Sequence, residues 1–144
     1  MRATSNAAER LRLMHAAQDV LVRVLLSGRA HGRPFVKDMT LGPDGGHIHL
    51  LDLEEDPCAH MDLLDAQARD VWLFLMSCAE FHEEPEAALP RQLTAFLAAL
   101  PDDIKPRLIA LGRGLRPFRR IIGVTRTASI SHDVAGAYWC ARTL

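Results

Sequence analysis

Apolar positions recur at helical spacing along most of this chain and at strand spacing in one short stretch. Leu11, Met14, Leu21, Val24, Leu25 and Gly28 keep the helical period, which predicts a helix over 6–28. Asn6 with Glu9 has the form of a capping box, and Gly28 and Gly32 are stop signals. Residues 39–43 and 47–52 predict two short strands, because Pro43-Asp44-Gly45-Gly46 between them is strong turn chemistry. Residues 65–82 predict a central helix, with Ala68, Val71, Trp72, Leu75, Cys78 and Ala79 on one face. Leu73, Phe74 and Met76 make its opposite face apolar as well, and a helix apolar nearly all round is buried on all sides. Pro85 and Pro90 bracket a predicted loop. Leu93, Phe96, Leu97 and Leu100 then stripe a helix ending near Pro101. Asp102 or Asp103 can cap the next helix, which carries Ile104, Leu108, Leu111 and Leu115 on one face and is weakened at its end by Gly112 and Gly114. Pro117 can open a further short helix with Phe118, Ile121 and Ile122. The stretch from Thr125 to Leu144 has no clear period, and its Tyr138-Trp139 pair is expected to dock on the core.

The pattern predicts a mainly α fold: a helical bundle about one buried helix, with one small β-hairpin. Its 144 residues suit a single domain over 1–144. With 49% hydrophobic and 24% charged residues the composition is that of an ordinary globular chain. A net charge of −1 gives no global reason to expect nucleic acid or a membrane surface. Charge is uneven locally, because Arg113, Arg116, Arg119, Arg120 and Arg126 gather near the C-terminus. A solvated helix face is the first reading of that cluster and an anion-binding surface the second. Cys58, Cys78 and Cys140 are odd in number and widely spaced, which fits a reducing cytoplasm better than a disulfide framework. No transmembrane run and no secretory signal is expected.

Candidate chemistry concentrates in residues 31–55, HGRPFVKDMTLGPDGGHIHLLDLEE. Asp52 directly follows the apolar pair Leu50-Leu51, where desolvating a carboxylate is costly unless it is paired or bound to a cation. The order of loop, hairpin and Asp resembles the catalytic loop and metal-binding strand of a protein-kinase-like C-terminal lobe. In such folds the loop reads H-x-D, with an Asn five residues after the Asp. The resemblance sets His31-Gly32-Arg33 against H-x-D, Asp38 against the Asn, and Asp52 against the metal-binding Asp. Asp52-Leu53-Glu54, as D-x-E, is nearer to small-molecule and lipopolysaccharide kinase relatives than to the D-F-G of eukaryotic protein kinases. Helix 6–28 matches the helix leading into the catalytic loop. Ala68-Arg69-Asp70-Val71-Trp72 looks like the central helix whose Asp hydrogen-bonds the loop backbone. Taken from its own residues, Asp70 is either such a buried structural carboxylate or a surface Asp near a helix start. The chain thus resembles a bacterial kinase-like family related to lipopolysaccharide (Kdo- and RIO-type) kinases over roughly residues 6–82.

The resemblance implies a kinase C-lobe with its catalytic-loop analogue at 31–38, hairpin at 39–52 and central helix at 65–82. It implies phosphoryl transfer with ATP and Mg2+, the metal held by Asp38 and Asp52. Two departures bear on the reaction. Arg33 stands where the catalytic Asp belongs, and a guanidinium that is always protonated cannot act as a general base. Thirty residues precede His31 and read as helix, and the two lysines, Lys37 and Lys105, lie in no V-A-I-K-like strand. A Gly-rich N-terminal lobe is therefore not expected in this chain. The expectation is a kinase-like protein that is inactive or partner-dependent. The alternatives are a non-catalytic regulatory or protein-binding module and an unrelated helical binding protein. A homodimer is expected where the lost lobe would leave apolar surface.

Other constellations are weaker. His47 and His49 point to one face of a strand and would need a third ligand to hold zinc, and an exposed hairpin face is the simpler reading. Asp52, Glu54, Glu55 and Asp56 form an acidic cluster that reads as a solvated loop or a divalent-cation site. Cys78 reads as packing on the buried helix. Ser129, Ser131 and His132 lack a G-x-S-x-G elbow, which gives no support to a hydrolase triad.

Overall fold

The computed structural model describes residues 7–43, 45, 47–51, 56–82 and 85–124. Four α-helices and one antiparallel hairpin make up these described residues: α1 (Ala7–Leu26), β1 (Met39–Leu41), β2 (Ile48–Leu50), α2 (Leu63–Cys78), α3 (Pro85–Ala99) and α4 (Ile104–Val124). The fold is mainly α.

α1 buries Leu13, Met14, Ala17, Leu21 and Leu25, a stripe at helical period, and keeps Arg12, Asp19 and Arg23 in solvent. Leu11, expected on that face, is instead exposed, at 44%. Gly28, at φ +73°, ends the helix by taking the left-handed conformation that a side chain disfavours. Gly32 is not a helix stop. It lies at φ +95° in the loop beyond. Asn6, the expected cap, lies outside the described residues.

Asp62 caps α2, its carboxylate accepting from the Asp65 backbone N–H, so the helix starts two residues before the expected 65. Its last turn tightens to a 3-10 turn at Ala79–Phe81. α2 lies at the centre. Val71, Phe74, Leu75 and Cys78 pack with the α1 stripe, with Leu89, Leu93, Phe96 and Leu100 of α3, and with Ile104 and Leu108 of α4. The Phe74 and Phe96 rings meet edge to face, their centroids 5.5 Å apart.

Two expected breaks are absent. Pro85 and Pro90 do not bracket a loop, because α3 runs through both. Pro85 opens the helix, where the lost N–H is harmless. Pro90 forfeits one backbone bond, and burial of Leu89, Leu93 and Phe96 outweighs that loss. α4 likewise continues through Gly112, Gly114 and Pro117 to Val124, so Pro117 opens no separate helix. The stretch 125–144, with Tyr138 and Trp139, lies outside the described residues.

The hairpin is shorter than expected and pairs Met39 with Leu50, Thr40 with His49, and Leu41 with Ile48. Met39 and Ile48 turn inward to the core.

Candidate functional site

A single stripe of α2 holds the loop that follows α1. Gln67, Asp70, Phe74 and Ser77 recur at helical spacing on one face, and all four are buried. Three of them are polar, which an apolar environment penalises unless each finds a partner. Their partners are backbone groups of residues 25–36. Gln67 Nε2 donates to the carbonyls of Leu25 and Arg29, each at 2.9 Å. The Leu25 carbonyl, in the last turn of α1, also accepts from the Gly28 N–H at 3.0 Å. The Asp70 carboxylate accepts from the backbone N–H of His31 at 2.5 Å and of Gly32 at 3.1 and 3.3 Å. Ser77 Oγ accepts from the Val36 N–H at 3.0 Å and donates to the Phe74 carbonyl at 2.8 Å. Arg69 flanks the stripe and donates to the Gly32 carbonyl at 2.6 Å. The peptide groups of Gly32 are thus gripped from both sides by adjacent residues of one helix. A surface Asp70 is excluded, since the side chain is fully buried.

The loop's own side chains divide between core and solvent. His31 is buried, and its Nδ1 accepts from the Arg33 N–H at 3.2 Å, which assigns the ring proton to Nε2 when neutral. Arg33 and Lys37 both lean on Phe35, at 5.4 and 5.3 Å from the ring centroid. Arg33 Nε also lies 4.0 Å from Asp38 Oδ2, a loose pair between partly exposed groups. Asp38 Oδ2 is buried yet accepts no hydrogen bond among the described residues. Such an oxygen suits a cation better than an apolar neighbour.

The hairpin returns the chain to Asp38. The Leu51 N–H donates to the Asp38 carbonyl at 3.2 Å, one residue beyond β2. Asp52 itself, with Glu54 and Glu55, lies outside the described residues. His47 and His49 are exposed, and no group of three metal-ligating side chains occurs among the described residues. Cys78 is fully buried in the core.

A cleft of about 340 Å³ opens beside the loop, lined by Asp56, Pro57, His60, Met61 and Arg69. Its wall is a 3-10 turn at Pro57–Ala59, capped by Asp56, whose carboxylate accepts from the Cys58 N–H. Neither this turn nor Gln67, Arg69 and Ser77 stands out as a candidate in the sequence. The available signal was the set of polar residues at helical spacing inside an otherwise apolar helix.

The described site therefore brings His31, Arg33, Asp38 and Asp70 into one constellation: a loop fixed by the buried Asp70 carboxylate, carrying two cations and the partly buried carboxylate of Asp38. Chemically it can present a rigid array of charge. It holds no evident general base, because Arg33 cannot accept a proton and Asp38 faces the Arg33 guanidinium. No family model matches the chain, and neither a search of curated proteins nor a search of solved structures finds a match.

Proposed function

We propose that this chain is a kinase-like C-terminal lobe, related to phosphotransferases, that is inactive or partner-dependent in phosphoryl transfer. The observation that carries the reading is the grip of Asp70 on the His31 and Gly32 amides. A buried carboxylate in the central helix that fixes the backbone of an H-x-D-like loop is the relationship the resemblance calls for. The register supports it further. Asp38 stands five residues after Arg33, and the hairpin ends beside the Asp38 carbonyl.

On this reading Asp38 and Asp52 would hold a Mg2+ ion, which when bound neutralises charge on nucleotide phosphates. The buried Oδ2 of Asp38, which accepts no hydrogen bond among the described residues, fits such a role. The chain's own residues do the rest. Asp70, Arg69 and Ser77 fix the loop's path, and His31 packs beneath it. Arg33 places positive charge where a base would otherwise sit. That charge can attract a phosphate and cannot take the proton of an attacking hydroxyl.

The alternative is a non-catalytic regulatory or protein-binding module, and Arg33 is what favours it. Titration of ATP with magnesium into the protein separates the two. Saturable binding that is lost in both Asp38→Ala and Asp52→Ala supports the phosphotransferase-related reading. Absence of binding by the folded wild type removes it and leaves the binding module.

A further inference from the structure

We infer that Arg33 is a tethered counter-ion for Asp38, and that the residue at position 33 sets how tightly Asp38 takes a divalent cation. This role builds on the proposed function, in which Asp38 is a cation ligand. Asp38 Oδ2 is shielded from solvent and accepts no hydrogen bond among the described residues. A carboxylate oxygen in that position is costly unless positive charge offsets it. Arg33 Nε lies 4.0 Å away, too far for a hydrogen bond and near enough to act through charge. The guanidinium thus offsets the charge of the oxygen without bonding to it.

The two partners are held differently. The Asp38 backbone is fixed from both sides: its N–H donates to the Phe35 carbonyl at 3.0 Å, and its carbonyl accepts from the Leu51 N–H at 3.2 Å. Ser77 holds the Val36 N–H two residues earlier. The Asp38 side chain is short and 25% exposed. Arg33 is anchored through its backbone, whose N–H donates to His31 Nδ1 at 3.2 Å. Its long side chain is 38% exposed and rests 5.4 Å from the Phe35 ring centroid. The carboxylate is therefore the fixed partner, and the guanidinium is the one that can swing.

That difference makes the pair displaceable. A divalent ion carries twice the charge of a guanidinium and bonds carboxylate oxygens at about 2.0–2.6 Å. It therefore gains more from Asp38 than Arg33 does at 4.0 Å. An ion that binds moves the guanidinium off Asp38 toward solvent, and whatever attraction Arg33 loses is subtracted from the affinity of the ion. Repulsion adds to this. Even in a medium as polar as water, a divalent ion about 5 Å from a guanidinium loses more than about tenfold in affinity.

The test is Mn2+ binding to the full chain, followed by electron paramagnetic resonance, with Mn2+ standing in for Mg2+ as an ion for oxygen ligands. Arg33→Gln should bind Mn2+ about tenfold more tightly than wild type, and Arg33→Lys, which keeps the charge, within about threefold of it. Lys37→Gln removes the same charge from the same loop and should gain less than about threefold. Asp38→Asn should abolish binding in both the wild-type and Arg33→Gln backgrounds. Adding Mg2+ should move the Arg33 Nε–H signal in the NMR spectrum of wild type and not of Asp38→Asn. Circular dichroism checks that each variant is folded. If Arg33→Gln misfolds, the Arg33 signal decides, and a signal indifferent to Mg2+ overturns the inference. Equal affinity in folded wild type and Arg33→Gln, or equal gains from Arg33→Gln and Lys37→Gln, would overturn the role of Arg33 and leave the cation site standing. No Mn2+ binding by either protein would overturn both.

Discussion

Replacing Asp70 tests whether the central helix holds the loop. The carboxylate accepts from two buried backbone donors, His31 N–H and Gly32 N–H, at 2.5 and 3.1 Å. Asp70→Ala strands both. A buried donor left without its acceptor costs about 1–3 kcal/mol, so the pair predicts a loss of about 2–6 kcal/mol, eased where water enters the space. Asp70→Asn keeps the shape but turns an amide NH2 toward a backbone N–H, so about half of that loss is expected. A domain of this size is stable by about 5–15 kcal/mol, so Asp70→Asn should still fold. Urea unfolding followed by circular dichroism reads the change. With a slope of about 2 kcal/mol per molar urea, Asp70→Ala shifts the midpoint by about 1–3 M. Hydrogen exchange supplies the local readout. In Asp70→Asn the His31 and Gly32 amides should exchange faster than global unfolding accounts for, while amides in α3 follow the global change. Midpoints for both variants within about 0.3 M of wild type, with those two amides still protected, would refute the argument.

Ser77→Ala leaves the Val36 N–H without its 3.0 Å acceptor and should cost about 1–3 kcal/mol in urea unfolding. A double variant with Asp70→Asn should fall short of additivity, because both side chains hold the same loop. Burial lowers the His82 pKa from its usual 6.5, with His15 adding repulsion and the hydrogen bond to Gln92 opposing. The unfolded chain therefore takes the proton first, and stability should fall as pH drops below 6.5 toward the lower folded value. His82→Gln should flatten that slope in thermal unfolding scanned against pH, and an unchanged slope would show that His82 does not carry it. Arg33→Asp sets a second carboxylate where the guanidinium lay 4.0 Å from Asp38 Oδ2. Its melting temperature should fall without magnesium and recover with it, and no magnesium response would count against a cation site at Asp38.

Helical periodicity made most of the bundle legible. The apolar run over 65–82 marked a buried central helix, and Pro43–Gly46 marked the hairpin turn, because both signals are local. Pro90 and Pro117 misled for a physical reason. Each removes one backbone hydrogen bond, but tertiary packing decides whether the helix continues, and for α3 that packing is the burial of Leu89, Leu93 and Phe96. Leu11 misled because a stripe drawn with one extra member still looks periodic. In the site, the resemblance pointed to His31, Arg33, Asp38 and Asp70, while Gln67 and Ser77 went unnoticed. Their roles depend on contacts 38 to 42 residues away in sequence, which no local pattern encodes.

The polar stripe on α2 also makes the loop's path independent of the side chain at position 33. Burying Gln67, Asp70 and Ser77 contributes little stability that apolar residues of similar volume would not supply, since each buried polar group first loses its water. What the stripe adds is direction. Each group meets a different peptide group between Leu25 and Val36, so the backbone has one satisfied path across the helix. That path sets Arg33, Lys37 and Asp38 in fixed relation without drawing on the side chain at 33. Exchange of a carboxylate for a guanidinium there changes the chemistry on offer and leaves the scaffold intact, because the scaffold is anchored through the amides of His31 and Gly32. A loop held this way is suited to presenting charge in a fixed arrangement. The residue at 33 then decides which chemistry the geometry can support.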